Sequence, residues 1–418
     1  MNHFIKLFAV LNLRNLPHNI KSTLLQGLDL SRWSLAAWSE AAHDRIHGLN
    51  DDPGKEAAIA AGLCWLGVAQ DKSASKDGGI ARHYSLLRGW STSYPETTGY
   101  AIPTLLAQSK RRKDTSLAER ARHALDWLFS IQFENGAFQG STIGVTPTHP
   151  VTFDTGQILL GLAAGAAEFG EPYTTAMGRA ADWLVSVQSE NGAWQVHNPH
   201  LSTHLHLPRT FETHVAWGLL EAARIKKNQV WGNAGLANIR WALTHQQPNG
   251  WFAHCCLTDS VRPLTHTLAY AMRGVIEGYR FSQEQSLLDA ALRTANALVR
   301  VMTKDGFLAG RFNADWIPTV KWACLTGTSQ TAICWLMLYQ ETRDTMFLNA
   351  ALTANRFVRR TLRLDVQPEK LGAVKGSFPV WGAYGRFEYL NWACKFMIDA
   401  NTLELDLEKA AACNLASN

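Results

Sequence analysis

Six short stretches of the chain share one pattern, and five of them gather groups able to move protons. SYPETTGY, Ser93 to Tyr100, holds Tyr94, Glu96 and Tyr100 around two threonines; Asp154 precedes Thr155, Glu212 and His214 flank Thr213, and His266 follows Thr265. Thr328 begins the fifth stretch, and Tyr389, beside Glu388, takes the threonine's place in the sixth. Carboxyls, imidazoles and phenols are the usual acids and bases of enzymes. The same residue types also suit a helix N-terminus, where threonine caps and acids oppose the macrodipole. Each threonine is therefore expected to cap a helix, and the acids gain a chemical meaning only if the six stretches meet.

The segments leading into these stretches are polar. VHNPHLSTHLHLPRTFETH contains His197, His200, His204, His206 and His214, but their spacing fits no zinc signature and no HExxH is present. Proton transfer or sugar hydrogen bonding is expected there, and neither a metal nor a cofactor. GRFNADWIPTVKWACLTGTSQ supplies Arg311, Asn313, Asp315, Trp316, Lys321 and Trp322, and GSFPVWGAYGRFEYLNWACKF supplies Trp381, Tyr384, Arg386, Tyr389, Asn391 and Trp392. Aromatic faces among Arg, Asn and Asp suit a carbohydrate groove.

A repeat positions these segments. ALDWLFSIQFENGAF recurs as AADWLVSVQSENGAW and as IRWALTHQQPNGWF, with weaker copies before and after. The turn glycines Gly79, Gly136, Gly192, Gly250, Gly306 and Gly372 lie 57, 56, 58, 56 and 66 residues apart. Each copy reads as an amphipathic helix, most of them stopped by an Asn-Gly or Asp-Gly turn, with Trp127, Trp183 and Trp241 in the core face. Between the copies run more evenly apolar segments rich in Gly and Ala, such as TGQILLGLAAGAA, which predict buried inner helices. Six outer and six inner helices predict an all-α, single-domain (α/α)6 toroid of six helical hairpins over 55–418, preceded by a helical segment over 1–54. An open solenoid is the rival, and the lack of a polar capping unit favours closure. In a toroid the six inner N-termini converge on one rim.

Composition narrows the class. With 46% hydrophobic and 18% charged residues, the chain is neither disordered nor fibrous. The net charge of +5 comes from scattered Lys and Arg, and the run Lys110–Lys113 is expected in a solvated loop, so nucleic-acid binding is not indicated. Seven cysteines without CxxC pairing suggest reduced thiols, and no signal-peptide pattern or membrane-length run is found. A cytoplasmic protein is expected; the sequence does not give its oligomeric state.

The outer repeat, with QFENGAF at 132–138 and QSENGAW at 188–194, resembles the QW-type repeat of the squalene-cyclase and protein-prenyltransferase superfamily. That resemblance implies the toroid. It does not carry the chemistry over: no DxDD acid motif, no Asp, Cys and His zinc set of the prenyltransferases, and no Cys-His-Gly set of the LanC-like cyclases is present. The stretches 93–100, 265–274, 324–335 and 376–396 together are similar to toroidal proteins of bacterial surface-polysaccharide gene clusters. Those resemble, at fold level, polysaccharide lyases, uronyl C5-epimerases and unsaturated-uronide hydrolases.

This resemblance implies an enzyme acting on a uronate-containing glycan by removal of the C5 proton, which requires a base and a group that neutralises the carboxylate. The candidate catalytic residues are Glu96, His214, His266, Tyr389 and Tyr94. Candidate binding residues are Tyr100, Asp154, Glu212, Tyr270, Arg311, Trp316, Trp381, Tyr384 and Asn391. A glycoside hydrolase would draw a carboxyl pair from Glu96, Asp154, Glu212 and Asp315. A terpenoid cyclase-like enzyme would need a dry aromatic cavity around a solitary acid. A non-catalytic glycan-binding or assembly scaffold would keep the aromatic residues without an acid–base pair.

Overall fold

The structure, a computed structural model, describes residues 33–195, 208–256 and 258–416. Helix α1 (Leu35–Ile46) precedes six outer helices, α2 (Lys55–Asp71), α4 (Thr115–Ile131), α6 (Tyr173–Ser186), α8 (Gln229–Leu243), α10 (Gln285–Val301) and α12 (Thr345–Arg359). They alternate with six inner helices, α3 (Pro95–Arg112), α5 (Thr152–Phe169), α7 (Thr213–Lys226), α9 (Thr265–Ser282), α11 (Leu325–Thr342) and α13 (Asn391–Ala416).

Each of the first five inner helices turns directly into the following outer helix. At four of these turns Lys113, Lys227, Gln283 or Arg343 takes the left-handed conformation that ends the inner helix. The return from outer to inner helix is long, so every extended loop lies at the inner N-terminal end. The sixth hairpin joins the two ends of the chain: α2 packs on α13, which in turn packs on α3. Thr104 Oγ1 donates to Asp399 Oδ1 at 2.7 Å, and Gln108 Nε2 donates to Thr402 Oγ1 at 2.7 Å, tying α3 to α13. The ring is closed.

The repeat has a mechanical explanation. Gln132 Nε2 donates to Gly136 O within its own turn and to Ala176 O on the next outer helix, and Gln188 bridges Gly192 O and Ala234 O in the same way. Asn135 and Asn191 close the turns by accepting from Ala137 N and Ala193 N. Gly372 shows why the turn residue is glycine: its φ is +73°, and a Cβ there would stand 2.3 Å from the carbonyl carbon of Ala61 on α2. In the first unit Gly78, at φ +98°, holds this place, one residue before the expected Gly79. The inner ring is equally tight: a Cβ on Gly99 would lie 2.4 Å from Ile158 Cα.

Two other expectations are corrected. The threonines are not caps, because the inner helices begin earlier or are capped by other groups. Thr98 and Thr155 instead accept from Ile80 N and Phe138 N, both at 3.0 Å, holding the chain that leaves the preceding turn. Lys110, Arg111 and Arg112 are the last turn of α3 rather than a loop, and they pair with Glu168, Asp406 and Glu56.

Short strands brace the loops. β1 (His83–Ser85) pairs antiparallel with β2 (Gly89–Trp90) and with β5 (Glu388–Leu390), and β3 (Ala323–Cys324) pairs with β4 (Ser377–Phe378). Among the described residues no helix is long and apolar enough to cross a membrane.

Candidate active site

The inner N-termini and their loops enclose a cavity of about 840 Å³. Nine of the candidate residues line it: Tyr94, Glu96, Tyr100, Asp154, Glu212, His266, Tyr270, Arg311 and Tyr384. They come from α3, α5, α9 and the loops between, so the convergence expected of a toroid occurs.

Five candidates do not line it. His214 is buried just behind the wall, its ring 4.2 Å from that of Tyr270. Tyr389 alternates away from the cavity on β5 and sits beside Glu40 and Asp44 of α1. Asn391 is a structural tie, its Nδ2 donating to Ala81 O and Thr97 Oγ1 at 2.9 and 2.8 Å. Trp316 is buried edge-on against Trp251, with its indole N–H on Asn249 O, and Trp381 packs half-buried against the core. His197, His200, His204 and His206 lie outside the described residues.

On one side of the cavity three buried carboxyls are held in their protonated range. Burial pushes Glu96 up to about 7, against the opposing pull of the Tyr94 phenol and the Arg82 guanidinium. Asp154 is pushed well above the usual carboxylate range by burial and by the charge of Glu96, although Tyr94 and the Ser141 amide hydrogen-bond to it. Glu212, in the 3₁₀ turn Thr210–Glu212, rises to about 8 through burial; Thr152 Oγ1 donates to its Oε1 at 3.3 Å, while Oε2 meets no partner among the described residues.

The imidazoles behave oppositely. His266 Nδ1 lies 2.7 Å from Gln330 Oε1, and burial lowers its pKa to about 4. Because an amide oxygen only accepts, Nδ1 carries the proton and the Nε2 lone pair is left for the cavity. His214 Nδ1 is held by Gln157 Oε1 at 2.5 Å in the same way, and burial, Arg273 and Lys395 lower its pKa. Tyr270 stands between the two rings, 4.2 Å from His214 and 4.3 Å from His266, and Tyr384 lies 5.4 Å from His266 on its other flank.

The sequence reading missed several neighbours. Gln157 and Gln330 each stand two residues after a series threonine, Thr155 and Thr328, a register that could have exposed them. Trp183, expected in the core, reaches the cavity from outer helix α6, and Phe153 and Phe211 pack edge to face beside it at 5.3 Å. Arg82 stacks 5.1 Å over Trp392, whose indole N–H donates to the Tyr384 hydroxyl at 2.8 Å. Outside the cavity Glu40, His43 and Asp44 converge with metal-ligand geometry, but Lys375 Nζ already bonds Asp44 and stands 2.8 Å from Glu40.

No protein-family model matches the sequence, and no curated protein matches it either. Solved structures do. An unsaturated glucuronyl hydrolase from Bacillus sp. GL1, described as responsible for glycosaminoglycan degradation, superposes with a TM-score of 0.66 at 16% identity, covering 83% of this chain and 96% of that one. A D-mannose isomerase gives 0.67 at 13%, over 84% and 97% of the two chains. A cellobiose 2-epimerase from Bacillus thermoamylovorans gives 0.65 at 12%, over 81% and 95%. What the chain shares with these three proteins is its architecture: it has the (α/α)6 toroid fold.

Proposed function

We propose that the protein is a carbohydrate-active enzyme that removes a proton from a sugar carbon next to a carbonyl or carboxylate, in epimerisation or elimination, with the C5 position of a uronate as the preferred site. The observation that carries this reading is His266: its Nδ1 is fixed by Gln330, so a neutral imidazole presents Nε2 in a cavity that also holds protonated carboxyls. The named neighbours, a glucuronyl hydrolase, an isomerase and an epimerase, act on sugars, which supports the substrate class.

In this mechanism Arg82 and Arg311, the cations lining the cavity, take the substrate carboxylate. That negative charge raises the basicity of His266, whose Nε2 takes the C5 proton as the C5 electron pair moves into the carboxylate. The Tyr270 and Tyr384 phenols, pushed up by burial and therefore protonated, donate to the developing oxyanion. Glu96, with Asp154, supplies a proton to the opposite face of C5 in epimerisation, or to the departing O4 in elimination.

A second reading rests on the Glu96 and Asp154 carboxyls, two buried acids lining one cavity, as the acid and base of a hydrolase. One experiment separates the two. The protein is incubated in D₂O with oligouronides, unsaturated uronides, mannose and cellobiose. Deuterium at C5, or a new 4,5-unsaturated end, is the expected result; deuterium at C2 moves the reaction to a carbonyl sugar, and new reducing ends with neither deuterium nor 4,5-unsaturation establish hydrolysis.

A further inference from the structure

His266 is placed with unusual economy. Thr265 Oγ1 anchors to Ala309 O, and a Cβ on Gly327 would fall 2.5 Å from the His266 backbone nitrogen, so α9 and α11 touch where His266 begins. Gln330 stands one turn further along α11, buried, with Oε1 on Nδ1. The titratable groups facing the imidazole are Tyr270 on its own helix, Tyr384 from the segment between β4 and β5, Cys324 ahead of α11, and His214 of α7 beyond Tyr270. None is charged at neutral pH, so among the described residues no carboxylate assists the imidazole as one does in many catalytic dyads.

We propose that Gln330 is a positioning residue that fixes His266 in the tautomer with its proton on Nδ1, leaving a neutral Nε2 acceptor for substrate. A glutamine suits this task better than a carboxylate. It accepts the Nδ1 hydrogen bond and sets ring orientation, yet adds no charge that would hold the imidazole protonated. The Gln157–His214 pair is a second copy of the device, built from the preceding neighbour helix rather than the following one.

The inference rests on the reading of His266 as base, but the NMR part of its test does not. Protein labelled with ¹⁵N on histidine is titrated by NMR, and His266 is assigned by the signal missing from H266Q. The wild-type ring is expected as the Nδ1–H tautomer, titrating near 4. In Q330E, where a carboxylate replaces the amide, its titration is expected to move up by about 1–3 pH units. In Q330L, which keeps the volume and removes the acceptor, the Nδ1–H tautomer is lost, and kcat for solvent exchange falls about 10- to 100-fold while KM changes little.

A wild-type ring protonated on Nε2, or a Q330E ring whose titration does not move, overturns the assignment. Were the tautomer and its shift in Q330E as expected while no sugar exchanged deuterium, Gln330 would keep its role and the proton-transfer reaction would fall.

Discussion

Glu96 and Asp154, carried by the neighbouring inner helices α3 and α5, turn their carboxyls toward one phenol, that of Tyr94. Two buried acids held this way resist simultaneous ionisation, and the pair retains a proton near neutrality. Exchange activity should therefore hold on a plateau between about 4, where His266 becomes protonated, and about 7, where Glu96 loses its proton. E96Q should lower the rate at least ~100-fold and bring the Asp154 titration down, which pH–rate profiles and ¹³C-carboxyl NMR would read.

Stability should carry the same signature. Glu96 and Glu212 are raised in the folded protein, to about 7 and about 8, so the native state binds more protons than the unfolded chain and stability falls as pH rises through these values. His214 and His266 are lowered, so their contribution is lost in the other direction, as pH falls below the ordinary histidine range. Between about pH 7.5 and 8.5 the histidine contribution is largely spent and the raised carboxyls still act. Tm should drop across that window, and E212Q should flatten the drop and raise Tm at pH 8.5, as followed by circular dichroism.

Closure of the ring can be tested at one glycine. G372A places a Cβ 2.3 Å from the Ala61 carbonyl carbon at a positive φ, whereas Gly144 also has a positive φ, +93°, but meets nothing within 4 Å. G144A should cost about 1 kcal/mol from backbone strain alone, and G372A about 3 kcal/mol or more. Urea unfolding of both variants checks the difference; equal losses would mean that α2 does not bear on the last turn.

The glutamine of the outer repeat should matter for stability and not for chemistry. Q188A removes the hydrogen bond that closes its own turn and the one that reaches the next outer helix, and leaves the carbonyls of Gly192 and Ala234 without that partner, a loss of about 1–3 kcal/mol. Exchange kinetics at 25 °C should be unchanged while the urea midpoint falls.

Trp183 gives the contrasting case. W183A should weaken sugar binding, measured by calorimetry, with little change in Tm, because the indole is only partly buried and lines the cavity.

The sequence carried the ring because its repeat is physical: Gln132, Asn135 and Gly136 recur with Gln188, Asn191 and Gly192, and each set makes the same contacts. It did not carry the pairing of α2 with α13, since sequence neighbours say nothing about how two chain ends meet. Candidate residues on inner helices largely reached the cavity, as helical phase from the shared threonine predicts. Tyr389 failed because it lies on a strand, where one residue's step reverses the face, and Trp183 failed because an outer helix can still present its last turn to a cavity bounded by loops. Gln157 and Gln330 were overlooked because an amide has no titration of its own; their importance arises only from the imidazoles they hold.

The central claim is most directly tested by solvent deuterium incorporation into sugar, compared between wild-type protein and H266Q. The predicted result is deuterium at the carbon next to the carboxylate or carbonyl, or a new 4,5-unsaturated end, with wild-type protein, and a loss of at least ~100-fold with H266Q at unchanged Tm. Glycosidic cleavage by both proteins at similar rates, with no deuterium on carbon, would contradict it.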